Sequence, residues 1–119
     1  MDFNATVNNI VETVSGTRAA IIMANDGIAL AEAMSSEYPT DVQTLAVEYT
    51  AVLSEIRKAS EVLEMGELEE LTVKSGSLTF LIRLINDEYF IALAMQPGAN
   101  LGKGRYLARI AAPKLAEEL

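Results

Sequence analysis

The sequence contains no cysteine, no histidine and no tryptophan, and the first two absences each remove a class of chemistry. Without cysteine the chain forms no disulfides and no thiolate metal sites, whereas secreted domains of this size more often carry bridges. Without histidine it lacks the commonest general base and a common zinc ligand, which excludes Ser-His triads and zinc centres. We therefore predict a cytoplasmic protein that is not an enzyme and that binds neither metal nor cofactor.

Long hydrophobic runs are also missing. The most apolar segments, 18–24 and 78–85, are far shorter than the roughly 20 residues that cross a bilayer, so no direct membrane insertion is expected. Residues 1–15 have no basic start and include two acidic residues, unlike a signal or transit peptide. Only 6% of the residues are aromatic whereas 50% are hydrophobic, which predicts an aliphatic core.

Positive charge is scarce, with 9 basic against 17 acidic residues and a net charge of −8. Such a surface repels phosphate backbones, so nucleic acid is not expected as a partner. Four basic residues nevertheless cluster near the end of the chain: Lys103, Arg105, Arg109 and Lys114. They indicate either a solvated helix face or a site for an acidic partner or a lipid headgroup.

The 119 residues have the size of one domain, and their pattern predicts three helices and five strands in the order α-ββ-α-βββ-α. Helices are predicted from Phe3 to Val14, from Thr40 to Gly66 and over 101–119. Strands are predicted over 18–24, 28–33, 68–74, 78–85 and 89–95. Short links within each strand group require antiparallel pairing. The predicted fold class is α/β, an α+β sandwich, with the long second helix on one sheet face and the other two helices on the opposite face.

Turn and cap residues support these boundaries. Asn25-Asp26-Gly27 predicts a hairpin in which both Asp26 and Gly27 tolerate positive φ. A breaker stretch over 35–39 precedes Thr40 and Gln43, whose spacing is typical of a capping box. Asn100 is a candidate N-cap of the third helix, which Pro113 either kinks or ends early.

Two other segments have the composition of a site. Residues 98–104 are rich in glycine and follow a strand, as a phosphate-binding loop does, but Walker A spacing fails and no Ser or Thr follows Lys103. We interpret these glycines as permitting close packing of the third helix on the sheet. An acidic group surrounds the end of the second helix and is interpreted as a solvated edge rather than a pair of acid-base catalysts: Glu61, Glu64, Glu67, Glu69 and Glu70.

The second helix has a second weakly charged side, formed by Val47, Ala51, Ser54 and Val62. Small side chains allow a second helix to approach closely, and a helix that is apolar on two sides is usually buried on two sides. A single domain of this length has few residues left to cover both sides of the helix. The pattern therefore predicts a homodimer through this side of the helix.

The order and spacing of the elements resemble the roadblock/LC7 domains, which include the MglB-like proteins of bacteria and archaea. The resemblance extends over 1–119 as a single domain. It depends on three segments: AAIIMANDGIALAEAM, VLEMGELEELTVKSGSLTFLIRLINDEYFIALAM and GANLGKGRYLARIAAPKL.

The resemblance implies a five-stranded antiparallel sheet whose dimer pairs through the long helix and the third strand, which adds Leu71 and Val73 to the predicted interface. It also implies a non-catalytic regulator that binds a Ras-like small GTPase, as MglB-like proteins bind MglA-like GTPases, and modulates its nucleotide state, including by GTPase activation. Two alternatives stay open. One is a pure scaffold, and the other is a small-ligand sensor, which an apolar cavity of a few hundred Å³ would favour.

Overall fold

The structure, a computed structural model, describes residues 2–37 and 40–119, and in them a five-stranded sheet lies between helices. The helices are α1 Phe3–Thr13, α2 Val42–Val62 and α3 Leu101–Glu118. The strands are β1 Thr17–Ala24, β2 Ala29–Met34, β3 Glu70–Lys74, β4 Thr79–Leu84 and β5 Tyr89–Met95. The predicted order α-ββ-α-βββ-α is confirmed. Of the predicted breaker stretch, Tyr38 and Pro39 lie outside the described residues.

The strands are arranged in the order β2-β1-β5-β4-β3, and every neighbouring pair is antiparallel. The central pair joins the first strand to the last, from Thr17 opposite Met95 to Ala24 opposite Tyr89. Central strands are buried on both faces, which explains why 19–23 and 90–95 are continuous apolar runs. The edges of the sheet are β2 and β3.

Each face of the sheet has its own core. On one face, Val7 and Ile10 of α1 and Leu115 of α3 pack on inward residues of the sheet such as Ile22 and Leu93. On the other face, α2 alone supplies the buried helical residues, among them Val42, Ala46 and Leu53. The Tyr49 ring lies 5.1 Å from that of Phe80, centroid to centroid. The predicted layering, one long helix on one face and two helices on the other, is confirmed.

Helix α2 begins differently from the prediction. Asp41, not Thr40, is its N-cap, and the carboxylate accepts hydrogen bonds from the backbone N–H and the hydroxyl of Thr44. Aspartate is a better cap than threonine. The Thr44 hydroxyl, followed by the Thr44 backbone N–H, holds the pKa of Asp41 below its ordinary value. The cap therefore contributes its full stability at neutral pH and loses it as the pH falls through that lowered pKa.

The β1–β2 hairpin also differs in detail. The hairpin forms as predicted, with positive φ used at Gly27, which has φ +91°, and not at Asp26. The Asp26 carboxylate instead accepts a hydrogen bond from the Ile28 N–H, and the Gly27 N–H donates to the Ala24 carbonyl. This is a longer loop with one left-handed glycine, and the register shift between Ile22 and Met23 accompanies it.

The glycine-rich start of α3 packs on the sheet through one glycine. A Cβ at Gly104 would lie 3.0 Å from Met95 Cε, so this position admits no side chain without displacement. Gly102 is exposed and makes no such contact, so the packing interpretation is wrong for that residue. Asn100 caps the helix as predicted. Pro113 does not end the helix, which continues to Glu118.

Helix α2 ends in a Schellman motif whose left-handed residue is not glycine. The Glu64 N–H donates to the Glu61 carbonyl, the Met65 N–H donates to the Ser60 carbonyl, and Glu64 has φ +57°. A left-handed conformation costs a residue with a Cβ about 1 kcal/mol more than it costs glycine. We expect Glu64→Gly to raise the free energy of unfolding in urea by up to about 1 kcal/mol. Glu67→Gly should give no gain, because Glu67 does not have positive φ.

Candidate interaction surface on the long helix and the third strand

Strand β3 exposes a free backbone edge. At the two ends of its ladder with β4, the Leu84 N–H donates to the Glu69 carbonyl and the Ser75 N–H donates to the Leu78 carbonyl. Hydrogen-bonded and non-bonded pairs alternate along an antiparallel ladder. In this register the odd-numbered residues bond to β4, and the peptide groups of Glu70, Thr72 and Lys74 point away from the sheet. These groups are available to a further strand.

The side chains of β3 separate into an apolar and a polar side. Leu71 packs against the core beneath α2, and strand alternation puts Val73 on the same face. Both are half-buried. Glu70 and Thr72 lie on the opposite face, where both contact Arg105 of α3. Any strand that pairs with β3 therefore meets an apolar side under α2 and a polar side under α3.

Arg105 joins α3 to this edge strand. Its Nε lies 2.9 Å from Glu70 Oε2, and its Nη2 lies 3.2 Å from Thr72 Oγ1. Arg105 therefore has a role within the fold that neither alternative for the basic cluster included, and Glu70 is more than part of a solvated edge. The two residues are 35 positions apart in the sequence, and the sheet topology brings them together. Their side chains are 42% and 25% exposed, so the contact serves mainly to orient β3.

The predicted interface residues of α2 all face solvent. Val47 and Val62 are 41% and 80% exposed, and Ala51 and Ser54 are also exposed. The buried side of the same helix is formed by Val42, Ala46, Leu53 and Ser60. The structure thus places the four helical candidates on the outer side of α2, and it places Leu71 and Val73 on the sheet face that α2 covers. It contains one copy of the chain, so the pairing of these surfaces stays a prediction.

Three further exposed apolar residues were missed by sequence reasoning. The apolar spacing of α2 predicts a core side that includes Val52 and Leu63, but they are 42% and 68% exposed, so the prediction is wrong for these two residues. Met65 is 71% exposed. Successive helical residues are about 100° apart, and Val52 therefore points away from the sheet when Leu53 points towards it. A helical-wheel angle measured from Leu53 would have found the error.

A cleft of about 600 Å³ lies between the end of α2 and the β4–β5 turn. Charged and polar residues dominate its lining, so it differs from the apolar cavity expected of a small-ligand sensor. Within 2–37 and 40–119 no group of three acidic residues converges to hold a metal ion. In the same ranges, no helix combines the length and the hydropathy needed to cross a bilayer.

The fold and this surface define a class: a five-stranded antiparallel sheet with one outward-facing long helix and an open third strand. Solved structures with the same architecture include MglC from Myxococcus xanthus, which is 35% identical to this chain with a TM-score of 0.70, and 100% of each chain is covered. A Roadblock/LC7 domain from Streptomyces avermitilis is 15% identical with a TM-score of 0.85 and coverage of 99% and 98%. MglB in a tetrameric arrangement is 18% identical with a TM-score of 0.85, covering 95% of this chain and 84% of that one.

No protein-family model matches the chain, and the search of curated proteins gives no match. The relation to MglC covers both chains completely at an identity well above what fold similarity alone provides. The more distant structures agree in fold. The chain belongs to the roadblock/LC7 family and is of the MglB-like type.

Proposed function

We propose that the chain acts as a single roadblock domain, forms a homodimer, and binds a Ras-like small GTPase of the MglA-like type in the cytoplasm. The observation that carries the proposal is the free edge of β3 beside the outward apolar side of α2. A monomer would leave both exposed, although open sheet edges favour unwanted pairing. Pairing two copies through these surfaces covers them together.

The sequence of β3 suits pairing with itself. Antiparallel pairing about Thr72 places Glu70 opposite the partner subunit's Lys74, so two opposite-charge pairs form on the polar side. The same register places Leu71 opposite the partner subunit's Val73 on the apolar side. All three outward peptide groups then gain partners in the second strand. Hydrogen bonding, charge and hydrophobic contact thus favour one register.

The other edge strand is a poorer candidate. Pairing β2 with itself about its middle would bring Glu32 opposite the partner subunit's Glu32, and like charges directly opposite are destabilising. The edge on β2 is therefore protected against self-association, whereas the edge on β3 is not. This difference supports β3 as the interface.

The long helix supports the same dimer. Ala51 and Ser54 are small, and the neighbouring Val47 and Val62 are exposed apolar residues. Small residues let two helix backbones approach closely while the valines pack around them. In the proposed dimer α2 pairs with α2 of the partner on the face where Leu71 meets Val73. The paired β3 strands and the paired α2 helices then form one continuous interface.

Regulation of a GTPase requires no catalytic residue from this chain. A dimer that binds one state of the switch loops more tightly shifts the partner towards that state. Membership of the roadblock/LC7 family supports this role, and the absence of histidine and cysteine agrees with action through the partner's active site. GTPase activation would follow if the favoured state is the one competent for hydrolysis.

The test is multi-angle light scattering of the chain alone and mixed with a small GTPase loaded with GDP or with a GTP analogue. We expect a dimer that gains mass with the GTP form only, and a hydrolysis assay then reports activation. Equal gain with both nucleotides would indicate a scaffold. A monomer that binds neither form would contradict the proposal.

A further inference from the structure

The end of α2 concentrates exposed apolar side chains within a ring of carboxylates. Val62, Leu63 and Met65 are 80%, 68% and 71% exposed, more than any other large hydrophobic residue in the described part of the chain. The exposed carboxylates around them are Glu61, Glu64, Glu67 and Glu69. We call residues 60–69 the α2 corner. Apolar side chains with this exposure usually mark a contact with another molecule.

The charge of the α2 corner works against the stability of the helix that precedes it. The C-terminus of a helix carries a partial negative charge that basic side chains stabilise. The last turn of α2 has no basic residue, and Glu61 and Glu64 lie at that end instead. Glu64 also occupies the left-handed position where glycine is preferred. The missing basic residue and the positions of Glu61 and Glu64 lower the folding stability. Together the carboxylates create a strongly negative surface.

The adjoining cleft is lined by a guanidinium group that is incompletely hydrogen-bonded, that of Arg83. Arg83 Nε is buried without a partner, and Arg83 Nη2 approaches Glu69 Oε2 only to 4.0 Å. Buried donors without partners are rare in folded proteins. The Arg83 side chain is 20% exposed, so an acceptor from outside the chain can reach its terminal Nη groups.

We propose that the α2 corner binds a basic amphipathic segment of a partner protein. Lysine or arginine side chains of that segment pair with the corner carboxylates, and its apolar side chains cover Leu63 and Met65. A backbone carbonyl of the segment accepts from a terminal Nη group of Arg83 in the cleft. This inference does not depend on the proposed GTPase, and Leu63 and Met65 lie outside the predicted dimer seam, to which Val62 belongs.

Other ligands match only part of the corner. A free metal cation would leave the apolar side chains exposed and would not accept a hydrogen bond from Arg83. An anionic lipid headgroup is repelled by the carboxylates. A polypeptide alone offers cations, apolar side chains and backbone acceptors at the spacing of one short element, as an amphipathic helix does in an apolar groove.

The probe is a fluorescein-labelled peptide of about 18 residues, made of leucine and lysine at amphipathic helical spacing. Fluorescence anisotropy of the full chain with this peptide should show saturable binding. The same composition in a scrambled order should bind at least about fivefold more weakly, because it presents no apolar side. Photo-crosslinking from the peptide should label residues 60–69.

Matched variants separate this site from the general acidity of the protein. Glu61→Gln, Glu64→Gln and Glu67→Gln together should weaken binding about tenfold. An equal charge change elsewhere, Glu12→Gln, Glu37→Gln and Glu117→Gln together, should weaken it less than about twofold. Equal weakening by both sets, or crosslinks outside the corner, would overturn the proposal. Light scattering of the same variants should show unchanged mass, which keeps this result separate from the dimer.

Discussion

Thr72→Pro is expected to convert the proposed dimer into a folded monomer. The Thr72 peptide N–H points to the free edge of β3, so proline there removes no hydrogen bond to β4 and is tolerated as on other edge strands. In the proposed dimer the same N–H pairs with the second β3, and twofold symmetry doubles the loss. Two missing hydrogen bonds of about 1 to 1.5 kcal/mol each correspond to roughly 30- to 150-fold weaker dimerisation. Sedimentation velocity over a concentration series measures this change.

Two control variants separate the effect of the Thr72 N–H from the effects of its side chain and of the pairing with β4. Thr72→Val also removes the hydroxyl that accepts from Arg105, but it keeps the N–H, so it should remain a dimer. Val73→Pro removes an N–H on the side that bonds to β4, so it should lower the thermal unfolding midpoint rather than affect assembly alone. Dissociation by Thr72→Val to the same extent as by Thr72→Pro would contradict backbone pairing at β3.

The fold was accessible from the sequence because its strongest signals are local. Apolar periodicity, Asp26-Gly27 and Asn100 each act over a few residues, and the structure confirms the order of elements they predict. The wrong predictions concern positions where two neighbouring residues both suit the same structural role. Thr40 and Asp41 both precede α2, and the more favourable cap is used. Val52 and Leu53 are both apolar, and only the orientation of the helix on the sheet decides which is buried.

The candidate surface could be predicted only in part from the sequence, because some of its features depend on residues that are distant in the chain. The small residues of α2 were visible as a pattern, but the free edge of β3 follows from the strand order, which inserts β5 between β1 and β4. The contact of Arg105 with Glu70 likewise requires α3 to lie on the sheet face to which the Glu70 side chain points. A composition-based reading treats such charges as solvated, since it contains no information on which face each strand presents.

Ala51→Glu is expected to abolish dimerisation as well, through the helices instead of the strands. Ala51 is small and exposed in the middle of α2, so a glutamate there is accommodated in the monomer. In the proposed dimer it introduces a carboxylate from each subunit into a desolvated seam between two helices. An uncompensated buried charge costs about 3 kcal/mol or more, which corresponds to at least roughly 100-fold weaker association. Light scattering at micromolar concentration should therefore show a monomer with unchanged helical circular dichroism.

Ala59→Glu is the matched control. It also decides which of two sides of α2 forms the dimer contact. Ala59 is equally an exposed alanine of α2, but it lies about 80° around the axis from Ala51, on the side of Val52. If Val47, Ala51, Ser54 and Val62 form the seam, Ala59→Glu leaves the dimer intact because its carboxylate stays in water. The reverse result, a monomer with Ala59→Glu and a dimer with Ala51→Glu, would move the seam to the side of Val52 and Leu63. In that case Leu63 would be shielded in the dimer, and the peptide probe should then bind dimeric protein more weakly than monomeric Thr72→Pro.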